Sequence, residues 1–218
     1  MALTKVRGGG VDNPLTLGGG SASDRSIIFD GNAQDFHIGL DDSADKLTIG
    51  LGSTLGTTAH MTFDSTGTIL KPLQPCFFAK KNSDTANVGP VNSAVAIVFD
   101  SEIFDQNADF DTSNGTFTAP ITGRYFLSAS LYATQLPNDA NYCLMEIVAS
   151  NRNHMEIFRT QAGDATWEYH TFSVSTLMDM DAGDTAKVNF YQPNGTQSVD
   201  ITGNSTHSHT SFSGFLAC

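Results

Sequence analysis

Two histidines, His207 and His209, flank a single serine in the stretch HSH near the end of the chain. On a strand that spacing sets both imidazoles on one face, an arrangement that can hold a metal ion. No third ligand stands at metal-site spacing, so two exposed polar histidines are the competing reading. The stretch DFDTSNG, from Asp109 to Gly115, carries the carboxylate and amide side chains of a calcium loop. Its glycine falls one place late, and Pro120 stands where the bidentate Glu belongs. That excludes an EF-hand and leaves a looser cation site or a hairpin turn. Asp41, Asp42 and Asp45 in DDSAD offer carboxylates to a cation or form a solvated turn. No G-x-S-x-G nucleophile elbow occurs. No acid/base pair can be read from spacing, so no catalytic residue and no metal ligand is assigned.

The elements that would position such residues are short. The 218 residues are 39% hydrophobic and only 16% charged, with 20 glycines. Ser, Thr and Asn are abundant. This composition suits strands joined by turns, and no segment has a sustained period of 3.6. The net charge is -12, and the few Lys and Arg residues form no cluster. A phosphate backbone needs a basic patch, so nucleic acid is excluded as a partner. Nothing approaches a membrane-spanning helix, and no membrane insertion is expected. Cys76, Cys143 and Cys218 are too few for a disulfide framework and lack zinc-site spacing.

Three zones follow along the chain. Residues 1–25 hold RGGG and LGGGSAS and cannot bury a core of their own, which predicts an N-terminal arm ordered by a partner. Residues 26–75 are short apolar runs closed by Gly, Asp or Ser: SIIFDG, DFHIGLDD, KLTIGLGS and HMTFDSTGTIL. One copy of such strands makes no stable core, whereas several chains side by side would, as in an intertwined β-rich stalk. Pro72 and Pro75 mark the boundary. Residues 76–218 are a series of strands punctuated by Gly, Pro, Asn and Asp, the habit of an antiparallel sandwich.

The plainest pattern is FDTSNGTFTAPITGRYFLSASLYAT, residues 110–134. After the PITG turn, Tyr125, Leu127, Ala129, Leu131 and Ala133 share one face, with Ser128, Ser130 and Tyr132 on the other. The stretch YCLMEIVAS differs, because both of its faces are mainly apolar. Tyr142, Leu144 and Val148 lie on one, interrupted by Glu146, and Cys143, Met145 and Ile147 lie on the other. A sandwich strand covers one face with its own core, so the second face predicts a subunit contact. Tyr142, Met145, Ile147 and Phe215 are the candidate trimer-interface residues.

FDTSNGTFTAPITGRYFLSASL resembles the central motif of the globular head of complement C1q, a fold shared with tumour necrosis factor, with Phe126 one place early. MDAGDTAKVNFYQ is similar to the family's Gly-Asp strand pair at Gly183 and Asp184, and SFSGFLAC to its closing strand at Phe212–Leu216. The resemblance implies an all-β, ten-strand jelly roll, a homotrimer and binding through exposed loops without catalysis. It also implies that Cys76 and Cys218 sit close, on neighbouring first and last strands, and that some members hold Ca²⁺ at the trimer apex. DFHIGLDDSADKLTIGLGSTLGTTAHMTFDSTGTI resembles segments of tail-fibre and other virion proteins of tailed bacteriophages.

Together these readings describe a virion-located fibre or spike. The arm would attach to other virion proteins, and the C1q-like head would contact a host surface glycan or protein. A capsid decoration or head fibre and a glycan-cleaving enzyme are the competing classes. The loops at residues 136–142, 160–169 and 193–209 are the candidate binding surface, with Trp167, Asn138, Asp139, Asn194 and Asn204 as candidate ligand-binding residues. Their side chains suit hydroxyl-rich ligands, and Trp167 could stack on a sugar face.

Overall fold

The computed structural model describes residues 16–90, 93–159, 167–196 and 198–218; most of the expected N-terminal arm (residues 1–15) and most of the middle binding loop (160–166) lie outside these. The described chain is all-β and contains no helix among those residues. It divides into two compact units, Met1–Leu73 and Gln74–Cys218.

The first unit is a single antiparallel meander. Its strands are β1 (Arg25–Phe29), β2 (Phe36–Asp41), β3 (Lys46–Leu51), β4 (Ala59–Phe63) and β5 (Ile69–Leu70), hydrogen-bonded in that order. The DDSAD stretch is the turn between β2 and β3. Asp41 Oδ1 accepts from the Ser43 hydroxyl at 2.7 Å and the Ala44 amide at 3.1 Å. The middle of one face is covered by the unit's own chain. His37, Asp41 and Thr48 are buried there, and His37 Nδ1 lies 2.9 Å from the Gly52 carbonyl.

The second unit is a two-layer jelly-roll sandwich. Its strands are β6 (Cys76–Lys80), β7 (Val95–Ala96), β8 (Ser101–Asp105), β9 (Phe110–Asp111), β10 (Thr116–Thr118), β11 (Gly123–Leu136), β12 (Cys143–Ala149), β13 (Asn153–Phe158), β14 (Trp167–Met180), β15 (Thr185–Tyr191), β16 (Asp200–Ile201) and β17 (Ser211–Leu216). One sheet runs β13-β12-β15-β10-β9 and the other β14-β11-β17-β6-β8. These two paths hold ten strands; the two-residue strands β7 and β16 attach to β15 and β11.

The core forms where the inward phases of the two sheets meet. Tyr125, Leu127, Ala129, Leu131 and Ala133 of β11 are buried, as their alternation predicts. Phe77 stacks on Phe110 and Phe117 at 5.0 and 4.7 Å between ring centroids, and meets Phe212 edge-on at 5.1 Å. Buried Tyr125 satisfies its hydroxyl by donating to the Ile121 carbonyl at 2.8 Å. Gly214 is required by packing. A Cβ there would stand 2.6 Å from Leu127 Cδ2 and 2.8 Å from Phe77 Cε1.

The PITG turn carries the chain between layers rather than closing a hairpin. The strand β10 pairs with β9 and β15, while β11 pairs with β14 and β17. The DFDTSNG stretch is the β9–β10 hairpin, with Gly115 at a φ of 72°. Cys76 opens β6 opposite Phe215 of the antiparallel last strand, and the three cysteines are free thiols.

Candidate binding site and assembly surface

Register places the head's polar loops at one end. Lys80 at the end of β6 faces Ser211 at the start of β17, and Leu136 at the end of β11 faces Trp167 at the start of β14. The other sheet ends there too: loop 136–142, which leads into β12, is tied to segment 192–196, which follows β15. The chain enters the head at the opposite end, at Gln74, beside the pairs Cys76–Phe215 and Gly123–Met180.

The expected ligand-binding residues mostly hold these loops to one another. Both Asp139 carboxylate oxygens accept from the Thr196 amide at 3.0 Å, and the Asn141 amide donates to Asn194 Oδ1 at 2.9 Å. The Thr196 amide, then its hydroxyl, keep the exposed Asp139 carboxyl below its ordinary range. Asn138 is half-buried in the same loop. Asn204 lies in a separate turn, where its Oδ1 accepts from the Thr206 and His207 amides at 2.8 Å each. Lys80 Nζ donates to the Ser205 carbonyl at 2.6 Å and anchors that turn. The structure therefore brings Asp139 and Asn194 together and leaves Asn204 apart. Trp167 opens β14, but its side chain lies outside the described residues.

Sequence reasoning missed an aromatic group at the loop end of the β11 sheet. Tyr169 is 67% exposed and parallel to Tyr132, with centroids 6.1 Å apart. The His209 ring lies 4.5 Å from Tyr132, and His207 stacks on His209 at 6.5 Å. Burial, then the neighbouring His207, push the His209 imidazole below its ordinary range. Among the described residues, no three His, Cys, Asp or Glu side chains of one chain converge to hold a metal ion. The Asp111 carboxylate is occupied within its own hairpin, accepting from Ser113 and Asn114.

The candidate interface residues divide between core and surface. Met145 and Ile147 have no exposed surface and belong to the head's own core, so the expected subunit contact through them is corrected. The reason is their register: they lie opposite Phe190 and Val188 of β15, whose side chains also face inward. The outer face of β12 is instead Tyr142, Leu144 and Val148, all half-buried. Beside it on β13, Met155 and Ile157 are 49% and 60% exposed. Glu146 lies in that face, largely buried, accepting from Asn189 Nδ2 at 3.1 Å and Asn153 Nδ2 at 3.4 Å. A recess of about 260 Å³ opens beside it, lined by Ser93, Ala94, Leu144, Glu146 and Tyr191.

Phe215 belongs to a larger apolar area on the outer face of the β11 sheet. It lies across from Phe126, which lies across from Leu177, and all three are exposed. Phe104 extends the area on β8 beside Phe78, with Ile103 exposed next to it. The sequence signal was Phe126 itself, an aromatic in the polar phase of β11.

The family model described as C1q domain matches residues 76–217. Among solved structures, the globular domain of zebrafish complement 1qA protein is 15% identical with a TM-score of 0.48, covering 66% of this chain and 98% of that one. Murine APRIL at pH 5.0 is 11% identical with a TM-score of 0.44 and the same coverage. No curated protein matches the chain.

Proposed function

The chain belongs to the C1q domain family through residues 76–217, and from that premise we propose that it is a trimeric virion fibre or spike whose head contacts a host surface glycan or protein. The observation that carries this reading is the polarity of the head. The chain enters at Gln74, the tied polar loops sit at the far end, and exposed apolar sheet faces run between. Loops on a rigid sandwich, held away from the point of attachment, suit recognition rather than catalysis.

Two unlike apolar areas support the trimer: the Phe126–Leu177–Phe215 face and the Leu144–Met155–Ile157 face. Unlike patches that meet head to tail form a closed ring when the rotation between copies is that of a three-fold axis. Three heads presented together turn weak single contacts into firm attachment. The virion setting is supported by the likeness of residues 35–69 to tail-fibre segments, and the arm at residues 1–25 is the proposed attachment segment.

Purified protein should compete with particles for adsorption to susceptible cells, and Tyr169→Ala and Trp167→Ala should weaken that competition at unchanged oligomeric state. Deleting residues 1–25 should leave a folded head that no longer enters particles. If particles lacking the protein adsorb normally and the purified protein binds no susceptible host, the receptor reading fails and capsid decoration replaces it.

A further inference from the structure

The first unit has one face that is covered in its middle, with Ile28 and Leu70 exposed at its two edges, and one that is bare. Residues directly opposite one another across a ladder share a face. Leu40, Leu47, Phe63 and Ile69 therefore form one row. Ile27, Ile38, Ile49 and Met61 form the next, and Phe29, Phe36 and Leu51 the third. Every member of these rows is apolar except Arg25, which pairs with Leu40 on the edge strand. Its guanidinium is turned back onto the Ser21 and Ser23 hydroxyls. Six of the apolar side chains, Ile27, Phe29, Phe36, Leu40, Leu47 and Ile69, are between 42% and 60% exposed.

A sheet with one apolar face is stable only when another layer covers it. The polar groups on this face are Arg25 and the exposed His60, whose ring lies edge-on to Phe36 at 6.1 Å, and the rows between them are apolar, so that like sheet faces can pack on one another directly. We infer that the bare face of β1–β5 is covered by the same face of two further copies of this chain, the three sheets facing a common axis. The number of copies follows the three-fold head, and area shows why the sheets depend on it. Five strands at about 4.8 Å spacing, averaging about five residues of 3.3 Å, present roughly 400 Å² per sheet. Even two such faces packed fully on each other would bury only about 800 Å², below what a free-standing specific interface buries, so the sheets need the joined heads to hold them together. The inference rests on the trimeric reading of the head, because three joined heads bring three tethered sheets to a high effective concentration.

Met61 reports on the face without any substitution, since a covered thioether resists peroxide. Full-length protein and a Leu177→Asp variant designed to separate the heads are treated with hydrogen peroxide, with native mass measured in parallel. Met61 should oxidise several-fold more slowly in the trimer than in the monomeric variant. A second measurement uses Ile49→Cys in a Cys218→Ser background, which should form an interchain disulfide on mild oxidation. A trimer whose Met61 reacts as fast as the monomer's, or one in which Met61 is equally protected in both and no interchain disulfide forms, overturns the inference while leaving the trimeric head intact. A wild-type chain that is itself monomeric overturns the trimeric head first.

Discussion

Phe126 lies directly across the β11–β17 ladder from Phe215, their ring centroids 5.4 Å apart, and both rings point away from the core. An aromatic pair on the outer phase of a central strand is costly to leave in water, and Leu177 widens it on the next strand. Replacing Leu177 or Phe126 by Asp should raise the dissociation constant of the proposed trimer by about 100-fold or more, the effect of a central contact worth about 3 kcal/mol. Because both positions are exposed in the single chain, its own stability should change by about 0.5 kcal/mol or less. Native mass measurement across a dilution series checks the first expectation and urea unfolding the second.

The two phases of β12 should behave differently. Met145→Ala removes a wholly buried side chain and should lower stability by about 2–5 kcal/mol. Leu144→Ala, on the half-buried outer phase, should cost less in the monomer and weaken assembly more. Equal losses in urea midpoint for the two variants would mean that the assignment of faces is wrong.

A carboxylate pair near the chain entry should give the head an acid-range dependence. Asp105 Oδ1 and Asp109 Oδ2 are buried without partners. Burial first, and the neighbouring Asp105 second, push the Asp109 carboxyl above its ordinary value of 3.8. The folded head then holds that proton more tightly than the unfolded chain does. Its stabilising contribution is full below pH 3.8 and is lost as pH rises through the raised value. Relative to Asp109→Asn, wild-type urea midpoints should therefore fall as pH increases across this window. A difference that stays constant with pH would count against it.

The three thiols should react in a fixed order. Burial pushes the Cys143 thiol up to about 12, and burial followed by Asp105 raises Cys76, whereas Cys218 is exposed. Since the thiolate is the reacting species, a disulfide reagent at mildly alkaline pH should label Cys218 rapidly, Cys76 slowly and Cys143 only after unfolding. Mass spectrometry of the labelled native protein reads the order directly.

How far each feature could be read beforehand follows from the range of the interactions that decide it. The inward phase of β11, from Tyr125 to Ala133, was legible because a period of two is local and one phase is plainly more apolar. The jelly roll was legible from three short motifs in order, among them Gly214, whose lack of a side chain the close approach of Leu127 and Phe77 explains. The sequence of β12 is apolar in both phases and so carries no local sign of which one faces the core. Pairing with β15 decided it, drawing Met145 and Ile147 inward against Phe190 and Val188 and leaving Glu146 outside between two asparagines. Loop composition likewise announced hydrogen bonding but not its partners. Asp139 and Thr196 are far apart in the chain, and only the folded head makes them neighbours. Periodicity, turn chemistry and the need to cover an apolar sheet were thus determined by residue order alone. The choice among equally apolar faces, and the spending of polar side chains on loop closure, were decided by long-range register, which no short window contains.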